Sequence, residues 1–293
     1  MTASRPRFGC IEAGGTKFVV GVASGPDDIG ATIRLDTRTP AETIDGVIAW
    51  LKDQGPLDAI GIASFGPAEL DRGAANWGFI THTTKPGWSN SDFARRVSRA
   101  LNLPVGFDTD VNGAALAEAR WGASHGDRIG VYITVGTGIG GGVTVDGKIL
   151  RGLSHAEMGH VRPVRHADDS AFKGVCPFHA DCFEGLASGP AIKARWGVPL
   201  SELPRDHGGH MIIASYIAQL VVMLQSIMEP GRIILGGGVM ATAGLRDLVK
   251  SEATRLGSGY FRGDAQDIVV APALGDKAGL LGGLALAMDI TAR

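Results

Sequence analysis

The chain has 293 residues, of which 28 are Lys or Arg and 30 are Asp or Glu. This length predicts about two domains, and 44% apolar and 20% charged residues are typical of a folded rather than a disordered protein. A net charge of −2 gives no electrostatic basis for a nucleic-acid or anionic-membrane surface. Glycine is over-represented, at 44 residues, about twice its usual share, which indicates tight turns and backbone that approaches a ligand.

The cellular compartment is predicted from cysteine content and hydropathy. Three cysteines are too few for a disulfide framework, and the first eleven residues lack the apolar stretch of a signal peptide. Residues 211–228 are apolar enough for a membrane span, but five polar side chains interrupt them, so we predict a buried helix. These side chains are Ser215, Tyr216, Gln219, Gln225 and Ser226. We expect a cytoplasmic protein with no membrane or nucleic-acid partner.

Hydrophobic periodicity predicts alternating strands and helices along the chain. The predicted strands are residues 8–12, 18–23, 59–64, 105–107, 131–135, 142–145, 232–235 and 268–271. The predicted helices are residues 43–53, 91–101, 112–121, 208–228 and 277–289. This mixture predicts an α/β protein with open sheets.

An internal similarity indicates a duplicated domain. Residues 8–22 and residues 131–145 both read as a strand, a glycine turn and a second strand. We expect two halves that face a common cleft. The smaller N-terminal domain is predicted over residues 1–113, completed by a C-terminal helix at about 280–293, and the larger domain over residues 114–279.

Two glycine motifs resemble nucleotide-binding fingerprints and are excluded. The spacing of Gly136, Gly138 and Gly141 matches the dinucleotide fingerprint, but the following residues read as a strand, whereas that motif requires a helix. Residues 142–148 resemble a P-loop, but Ile149 stands where Ser or Thr must bind Mg²⁺. An Asp-Gly hairpin turn accounts for the second motif better.

Glycine turns between strands remain candidates for phosphate binding, since successive backbone N–H groups can point at an anion. For each segment alone, the alternative is an ordinary tight turn that binds no ligand. For Lys17, the alternative is a side chain that faces solvent. Three such sites in one α/β chain indicate a nucleotide. The candidates are Gly14, Gly15, Thr16 and Lys17 in the first turn, Thr137 and Gly138 in the second, and Gly237 and Gly238 after an apolar strand.

A cluster of Cys and His residues predicts a zinc site. Cys176, His179 and Cys182 supply three ligands at i, i+3 and i+6, with His160 as the expected fourth ligand and His155 as the alternative. Four protein ligands leave no open position, so the metal would be structural rather than catalytic. The alternative is buried cysteines and solvated histidines.

Three carboxylates are candidates for acid–base or hydroxyl-binding roles. Asp110 follows a predicted strand where a helix begins, the edge at which α/β folds bind ligands, and could accept a proton from a hydroxyl. Helix capping is the alternative for Asp110, although Asn112 is the better capping candidate. Glu157 and Glu184 flank the Cys/His segment and suit either vicinal hydroxyls or a solvated surface.

Together these segments resemble the ROK family of sugar kinases, within the actin-like ATPase (hexokinase-type) superfamily. In chain order, residues 12–17 resemble its first phosphate motif and residues 109–115 its catalytic-base segment. Residues 134–142 resemble the second phosphate loop, and residues 235–239 the adenosine segment. Residues 155–160 and the Cys/His segment lie where the family has its sugar and zinc elements.

Several segments resemble the fructokinase branch of the family, namely residues 63–67, 77–81, 85–88 and 176–191. Glu12 stands where most members carry Asp. Two residues depart from common patterns: His179 replaces one of three zinc cysteines, which tetrahedral zinc tolerates, and Thr109 replaces the Asn of glucokinase-like members. The second departure weakens the case for glucose.

The resemblance implies two actin-like (ribonuclease H-like) domains with a cleft between them, a usual homodimer, and transfer of the γ-phosphoryl group of MgATP to the 6-hydroxyl of D-fructose. Asp110 would be the general base, and Glu12 would hold Mg²⁺ through water. The turn residues named above would bind phosphates and adenosine. The sugar would be bound by Gly66, Pro67, Asp110, Glu157, His160 and Glu184, and structural Zn²⁺ by His160, Cys176, His179 and Cys182.

Two alternatives stay open. The nearer alternative is another hexose kinase, with mannose, glucose or N-acetylmannosamine as its main acceptor. A sugar-sensing regulator would carry a DNA-binding domain before the kinase-like part, but the first phosphate motif begins at Glu12, and a sensor would not need Asp110.

Overall fold

The computed structural model describes residues 5–292 and consists of two compact units. The first unit runs to Trp121, includes Arg151–His155, and ends with the segment that begins at Leu274. The second unit comprises Gly122–Leu150 and Ala156–Ala273. The expected boundary after residue 113 differs because it falls inside a helix that packs as a whole on the C-terminal helix of the first unit.

The first unit contains seven strands and three helices before residue 122, within the described residues. The strands are β1 (Phe8–Ala13), β2 (Lys17–Gly25), β3 (Asp28–Asp36), β4 (Ala59–Ser64), β5 (Phe79–Ile80), β6 (Ser91–Asp92) and β7 (Val105–Thr109). The helices are α1 (Pro40–Lys52), α2 (Ala94–Leu101) and α3 (Asp110–Trp121). The main sheet has the order β3-β2-β1-β4-β7, with β1, β4 and β7 parallel to one another.

The second unit is built in the same way within the described residues. Its strands are β8 (Ile129–Val135), β9 (Ile139–Val145), β10 (Lys148–Ile149), β11 (Arg232–Gly236) and β12 (Val269–Val270). Its helices are α4 (Phe183–Ala187), α5 (Gly189–Trp196), α6 (Gly209–Met228), α7 (Leu245–Gly257) and α8 (Ala265–Ile268). The sheet order is β10-β9-β8-β11-β12, with β8, β11 and β12 parallel.

The two sheets therefore share one topology, which agrees with the duplication inferred from the sequence. In each unit the first strand pairs antiparallel with the second across a glycine turn, and parallel with the fourth. The strand β9 follows the glycine turn directly, where a dinucleotide-binding motif would have a helix, so the exclusion of that motif is confirmed. Asp146 and Gly147 both have positive φ in the turn before β10, as a type I′ hairpin turn requires.

Helix α6 is the central core helix of the second unit. Within residues 5–292 it alone is long and apolar enough to cross a membrane by length and composition, but 56% of its apolar window is buried in the fold. Ile213, Tyr216, Ile217 and Val221 are fully or almost fully buried among the residues of the β8–β11 core. The prediction of a buried helix is confirmed.

The C-terminal helix α9 (Ala278–Thr291) belongs to the first unit and covers one face of its sheet. The approach is so close that a Cβ atom at Gly61 would lie 1.8 Å from the carbonyl oxygen of Gly283. Apolar residues such as Leu281 and Leu284 are buried at this contact. Because α9 packs on β1 and β4, it can place side chains beside the ends of both strands.

Some predicted elements differ from the observed ones. Strand β3 was missed because it is an edge strand with mostly exposed residues and so lacks an apolar alternation. The helix predicted from residue 91 begins at Ala94, since Ser91–Asp92 pair with Phe79–Ile80 instead. Helix α7 was missed. The strand predicted over residues 268–271 is reduced to Val269–Val270, because helix α8 extends to Ile268.

Candidate functional site

Three candidate segments of the first unit lie at one edge of its sheet. Because β1, β4 and β7 are parallel and Ala13, Ser64 and Thr109 are aligned in neighbouring strands, the residues after each strand emerge side by side. This carboxyl edge is where open α/β sheets bind ligands. The segments are the first phosphate turn after β1, Gly66 and Pro67 after β4, and Asp110 after β7.

The first phosphate turn is closed by a residue that the sequence analysis did not consider. The Gly14 N–H donates to the Lys17 carbonyl at 3.0 Å. Thr37, just after the missed strand β3, donates from its hydroxyl to the Gly14 carbonyl at 2.7 Å and from its N–H to the Thr16 carbonyl at 3.0 Å. Gly15 has open space at its Cβ position. The turn is thus fixed on one side and open on the other, as an anion-binding turn must be.

Glu12 lies on β1 with charged residues of both signs around it. Burial raises the pKa of the Glu12 carboxyl, the cations of Lys17 and Arg34 lower it in part, and the anion of Asp276 raises it further. In the sheet register, Val19 pairs with both Glu12 and Arg34, so the two charged side chains share one face. Arg34 is exposed and was not identified from the sequence because β3 was missed.

Asp110 is the first residue of α3, and its neighbours hold it in place. The Thr109 hydroxyl accepts the N–H of Asn112 at 3.2 Å and so caps the helix, a role that the sequence analysis had given to Asn112. Asn112 is instead buried and donates its side-chain amide to the Asp108 carboxylate at 2.7 Å. The Asp110 carboxylate accepts the N–H of Val111 at 2.9 Å.

Asp108 is the fully buried anchor of this segment. Its carboxylate accepts the N–H of Thr109 and the amide of Asn112, and it forms an ion pair with Arg151. Burial raises the pKa of Asp108, and these donors oppose the rise. Arg151 belongs to the short segment 151–155 that the first unit takes from the middle of the chain. Asp108 therefore joins that segment to the first turn of α3, through Asn112.

Replacing Asp108 with Ala is expected to lower the free energy of unfolding of the protein by about 1–3 kcal/mol. The reason is that the buried Asn112 amide and the Arg151 guanidinium, which is 43% exposed, both lose their acceptor. Urea denaturation at pH 7 measures the effect, with Asp71→Ala, an exposed carboxylate of the same unit, as the control. Equal unfolding midpoints for the two variants would contradict the anchoring role.

Segment 151–155 also brings His155 to the sheet edge. Its Nε2 atom lies 3.7 Å from the Cβ position of Gly66, the first of the two predicted sugar-binding residues after β4. The sequence analysis considered His155 as an alternative zinc ligand. Within the described residues, the structure instead places His155 in the first unit and assembles the metal-ligand cluster from His160.

In the second unit, the second phosphate turn and the predicted adenosine segment are adjacent. Gly236, at the end of β11, pairs with Thr134 of β8, so Gly237 and Gly238 follow it beside the turn that contains Thr137 and Gly138. Gly237 has φ +92°, and a Cβ atom there would lie 2.4 Å from the Val135 carbonyl oxygen, so only glycine fits.

Glu184 contacts the phosphate turn rather than standing apart from it. Its Oε2 atom accepts the N–H of Ile139 at 3.0 Å, and a Cβ atom at Gly138 would lie 2.6 Å from the same oxygen. Glu184 lies in the first turn of α4, whose N-cap is Cys182, with its Sγ accepting the Gly185 N–H at 3.4 Å. Cys182, a predicted zinc ligand, is thus two residues from Glu184, whose side chain contacts the second phosphate turn.

The four predicted zinc ligands converge in the second unit. The donor atoms of His160, Cys176, His179 and Cys182 all lie within 4.8 Å of one another. The Nδ1 atom of His160 is 3.3 Å from that of His179, 3.7 Å from Cys176 Sγ and 3.6 Å from Cys182 Sγ.

These separations fit a tetrahedral zinc ion. Zinc–nitrogen and zinc–sulfur bonds of about 2.0–2.3 Å put neighbouring ligand atoms about 3.3–3.8 Å apart. His160 would bind through Nδ1, which leaves its Nε2 atom 3.8 Å from the Glu157 carboxylate. His160 and Glu157 are therefore neighbours at a point where a hydroxyl-bearing ligand can contact both.

An ion-pair network holds the segment between the predicted zinc ligands His160 and Cys176 independently of metal. Asp169 and Arg195, each 4% exposed, form a two-point ion pair with both distances 2.8 Å. The Tyr216 hydroxyl of α6 donates to the same carboxylate at 2.7 Å. This network ties the segment between His160 and Cys176 to helices α5 and α6, so that only its two ends depend on the zinc ligands.

The profile of the ROK family matches residues 8–290 of the chain. The chain belongs to the ROK family. This ROK protein is 48% identical over 289 residues to the fructokinase of Zymomonas mobilis subsp. mobilis, and the match covers 96% of each chain.

Two solved ROK structures resemble the fold over its whole length. The ROK hexokinase of Thermus thermophilus superposes with a TM-score of 0.81 at 25% identity, covering 98% of this chain and 100% of that one. A ROK family glucokinase from Streptomyces griseus, in complex with glucose and AMPPNP, has a TM-score of 0.76 at 27% identity, covering 97% and 99%. The expected fold class of two actin-like α/β domains is confirmed.

Proposed function

We propose that the protein is an ATP-dependent fructokinase that transfers the γ-phosphoryl group of ATP to the 6-hydroxyl of D-fructose. The observation that carries the proposal is the 48% identity to a fructokinase over 96% of the chain, against 27% to a glucokinase of the same family. The presence of Thr109 in place of the Asn of glucokinase-like members supports the same choice. We also infer a cytoplasmic location and a homodimer from the family resemblance.

Asp110 is the general base of the proposed reaction. Its carboxylate takes the proton of the 6-hydroxyl as that oxygen attacks the γ-phosphorus of ATP, and the bond between the γ-phosphorus and the β–γ bridging oxygen breaks to release ADP. The proton then leaves Asp110 for solvent. The hydrogen bond to the Val111 N–H fixes one carboxylate oxygen, and the Thr109 cap fixes the start of the helix.

The glycine turns bind the nucleotide phosphates in this proposal. Backbone N–H groups of Gly15, Thr16, Thr137 and Gly138 face the phosphate oxygens, with Lys17 as a nearby cation. The Gly14 N–H instead closes the first turn by donating to the Lys17 carbonyl. Glu12 would hold the Mg²⁺ ion of MgATP through water, since Mg²⁺ keeps part of its hydration shell. Gly237 and Gly238 lie against the adenosine.

The fructose molecule is bound by Gly66, Pro67, Glu157, His160 and Glu184, together with Asp110. Zinc, when bound, orders the segment that carries His160 and Glu184 and takes no part in phosphoryl transfer. Glu184 uses Oε2 for Ile139, so its other oxygen serves the sugar. Positioning of the two substrates supplies most of the acceleration.

A coupled ATP-to-ADP assay with fructose, mannose, glucose and N-acetylmannosamine tests the proposal. The highest kcat/KM on fructose is the expected result. If kcat/KM were highest on another sugar, the proposed kinase activity would stand, but the assignment of fructose as the substrate would be overturned. No turnover on any of the four sugars, in zinc-replete protein with Mg²⁺, would overturn the kinase function.

The pH dependence of kcat/KM for MgATP is expected to respond to the charges around Glu12. Glu12 must be ionised to hold Mg²⁺, so its pKa sets an acid limb below which activity falls. Arg34→Met removes a cation that lowers this pKa and should move the limb to higher pH, whereas Asp276→Asn removes an anion that raises it and should move the limb to lower pH. If the acid limbs of both variants shifted in the same direction, the assignment of this limb to Glu12 would be contradicted.

A further inference from the structure

Gly279, in the first turn of α9, lies directly against the Glu12 side chain. A Cβ atom at position 279 would be 2.2 Å from Glu12 Cδ, 2.6 Å from Cγ and 2.6 Å from Oε1. Glu12 lies on the sheet face that α9 covers, because Gly21, on the same face of the neighbouring strand, faces Leu280. The carboxylate therefore occupies the place that any side chain at position 279 would take.

We propose that Gly279 is a positioning residue that sets where the Glu12 carboxylate meets the magnesium ion of MgATP. The proposal rests on the proposed function, in which Glu12 holds that ion. The Glu12 side chain lies against α9 from its Cγ atom to its carboxylate, and only a glycine at position 279 leaves room for it.

The contact makes an unusual prediction about alanine at position 279. Gly279 lies in a helix, where Ala is more favourable than Gly, so the backbone accepts the change. The clashing atoms belong to the far end of a flexible side chain, so the Glu12 carboxylate moves while α9 and the sheet stay in place. Function should therefore be lost without a loss of stability, which is the reverse of what a residue with only a packing role would give.

Three variants and one control test the proposal: Gly279→Ala, Glu12→Ala, the double variant, and Gly46→Ala. Gly46 is a glycine of helix α1 in the same unit, where a Cβ atom would make an ordinary contact of 3.6 Å with Leu35. Two quantities are measured besides Tm: kcat with fructose, and the ratio of ADP affinities with Mg²⁺ and in Mg²⁺-free buffer without chelator, which leaves zinc in place, obtained by isothermal titration calorimetry.

We expect Gly279→Ala to lower kcat and the magnesium-dependent affinity ratio by about tenfold or more, since small displacements of positioned groups have effects of that order. Its Tm should equal or exceed that of the wild type, and Gly46→Ala should behave as the wild type. Glu12→Ala removes the Cγ, Cδ and carboxylate atoms that would clash with the Cβ atom at position 279. In that background Gly279→Ala has no carboxylate to displace, so the double variant should match Glu12→Ala alone in both quantities.

Wild-type values for Gly279→Ala would overturn the proposal. So would a lowered Tm of Gly279→Ala together with a double variant that falls clearly below Glu12→Ala alone, because that pattern indicates disruption of the α9 packing. If the wild-type protein phosphorylated none of the sugars, the proposed function would fail, but the calorimetric ratio would still test the pair of Glu12 and Gly279, since it requires no sugar.

Discussion

The Asp110→Asn variant is expected to lose kcat for fructose by a factor of about 10²–10⁴, the usual contribution of a general base. Asparagine has almost the same shape as aspartate but accepts no proton from the 6-hydroxyl. Its side-chain oxygen can still accept the Val111 N–H, and the Thr109 cap and the Asp108–Asn112 bond are untouched. The helix start should therefore keep its geometry, and the loss should fall on kcat with little change in the KM for MgATP.

Steady-state kinetics and thermal unfolding of the same preparation measure this effect. Asp53→Asn, which removes an exposed carboxylate at the end of α1 in the same unit, is the matched control and should leave both kcat and Tm unchanged. A kcat for Asp110→Asn within tenfold of the wild type would contradict the role of general base. A large fall in Tm would instead assign Asp110 the structural role of helix stabilisation.

The glycine turns and their strands could be predicted from the sequence because the signals are local. Apolar strands on either side of residues 14–15 and 136–138 define a hairpin within one short window, and an Asp-Gly pair defines the next turn. The spacing of Cys176, His179 and Cys182 is also local, which is why the cluster that the structure brings together with His160 could be predicted as a candidate zinc site.

The contacts that hold these turns could not be predicted, because they join distant parts of the chain. Thr37 closes the first turn from 23 residues away, and Glu184 holds Ile139 across 45 residues. Thr109 has less capping preference than Asn in general, yet it caps α3 because Asn112 is drawn into the core by Asp108. Strand β3 carries charged and polar residues on an exposed edge, so pairing with β2 rather than periodicity determines it.

Loss of zinc is expected to affect both the stability and the substrate affinities of the protein. His179→Ala should lose the metal and lower Tm by about 10 °C, because a structural zinc ion stabilises the folded state by several kcal/mol. His179→Cys should retain zinc, since tetrahedral zinc accepts either ligand. Metal analysis of the purified variants and thermal unfolding measure these effects. Cys10→Ala is the control, because Cys10 lies on β1 of the first unit and should leave the zinc content unchanged.

The structure also indicates which affinities should change. His160 is a predicted zinc ligand beside Glu157, so loss of the proposed metal should raise the KM for fructose. Cys182 caps α4, and Glu184 in that helix holds the Ile139 N–H of the phosphate turn, so the KM for MgATP should rise as well. The Asp169–Arg195 ion pair needs no metal, so hydrogen exchange should remain slow around it while the ends of the segment exchange faster. A zinc-free variant with a raised KM for fructose and a normal KM for MgATP would show that Glu184 holds the phosphate turn without help from the metal.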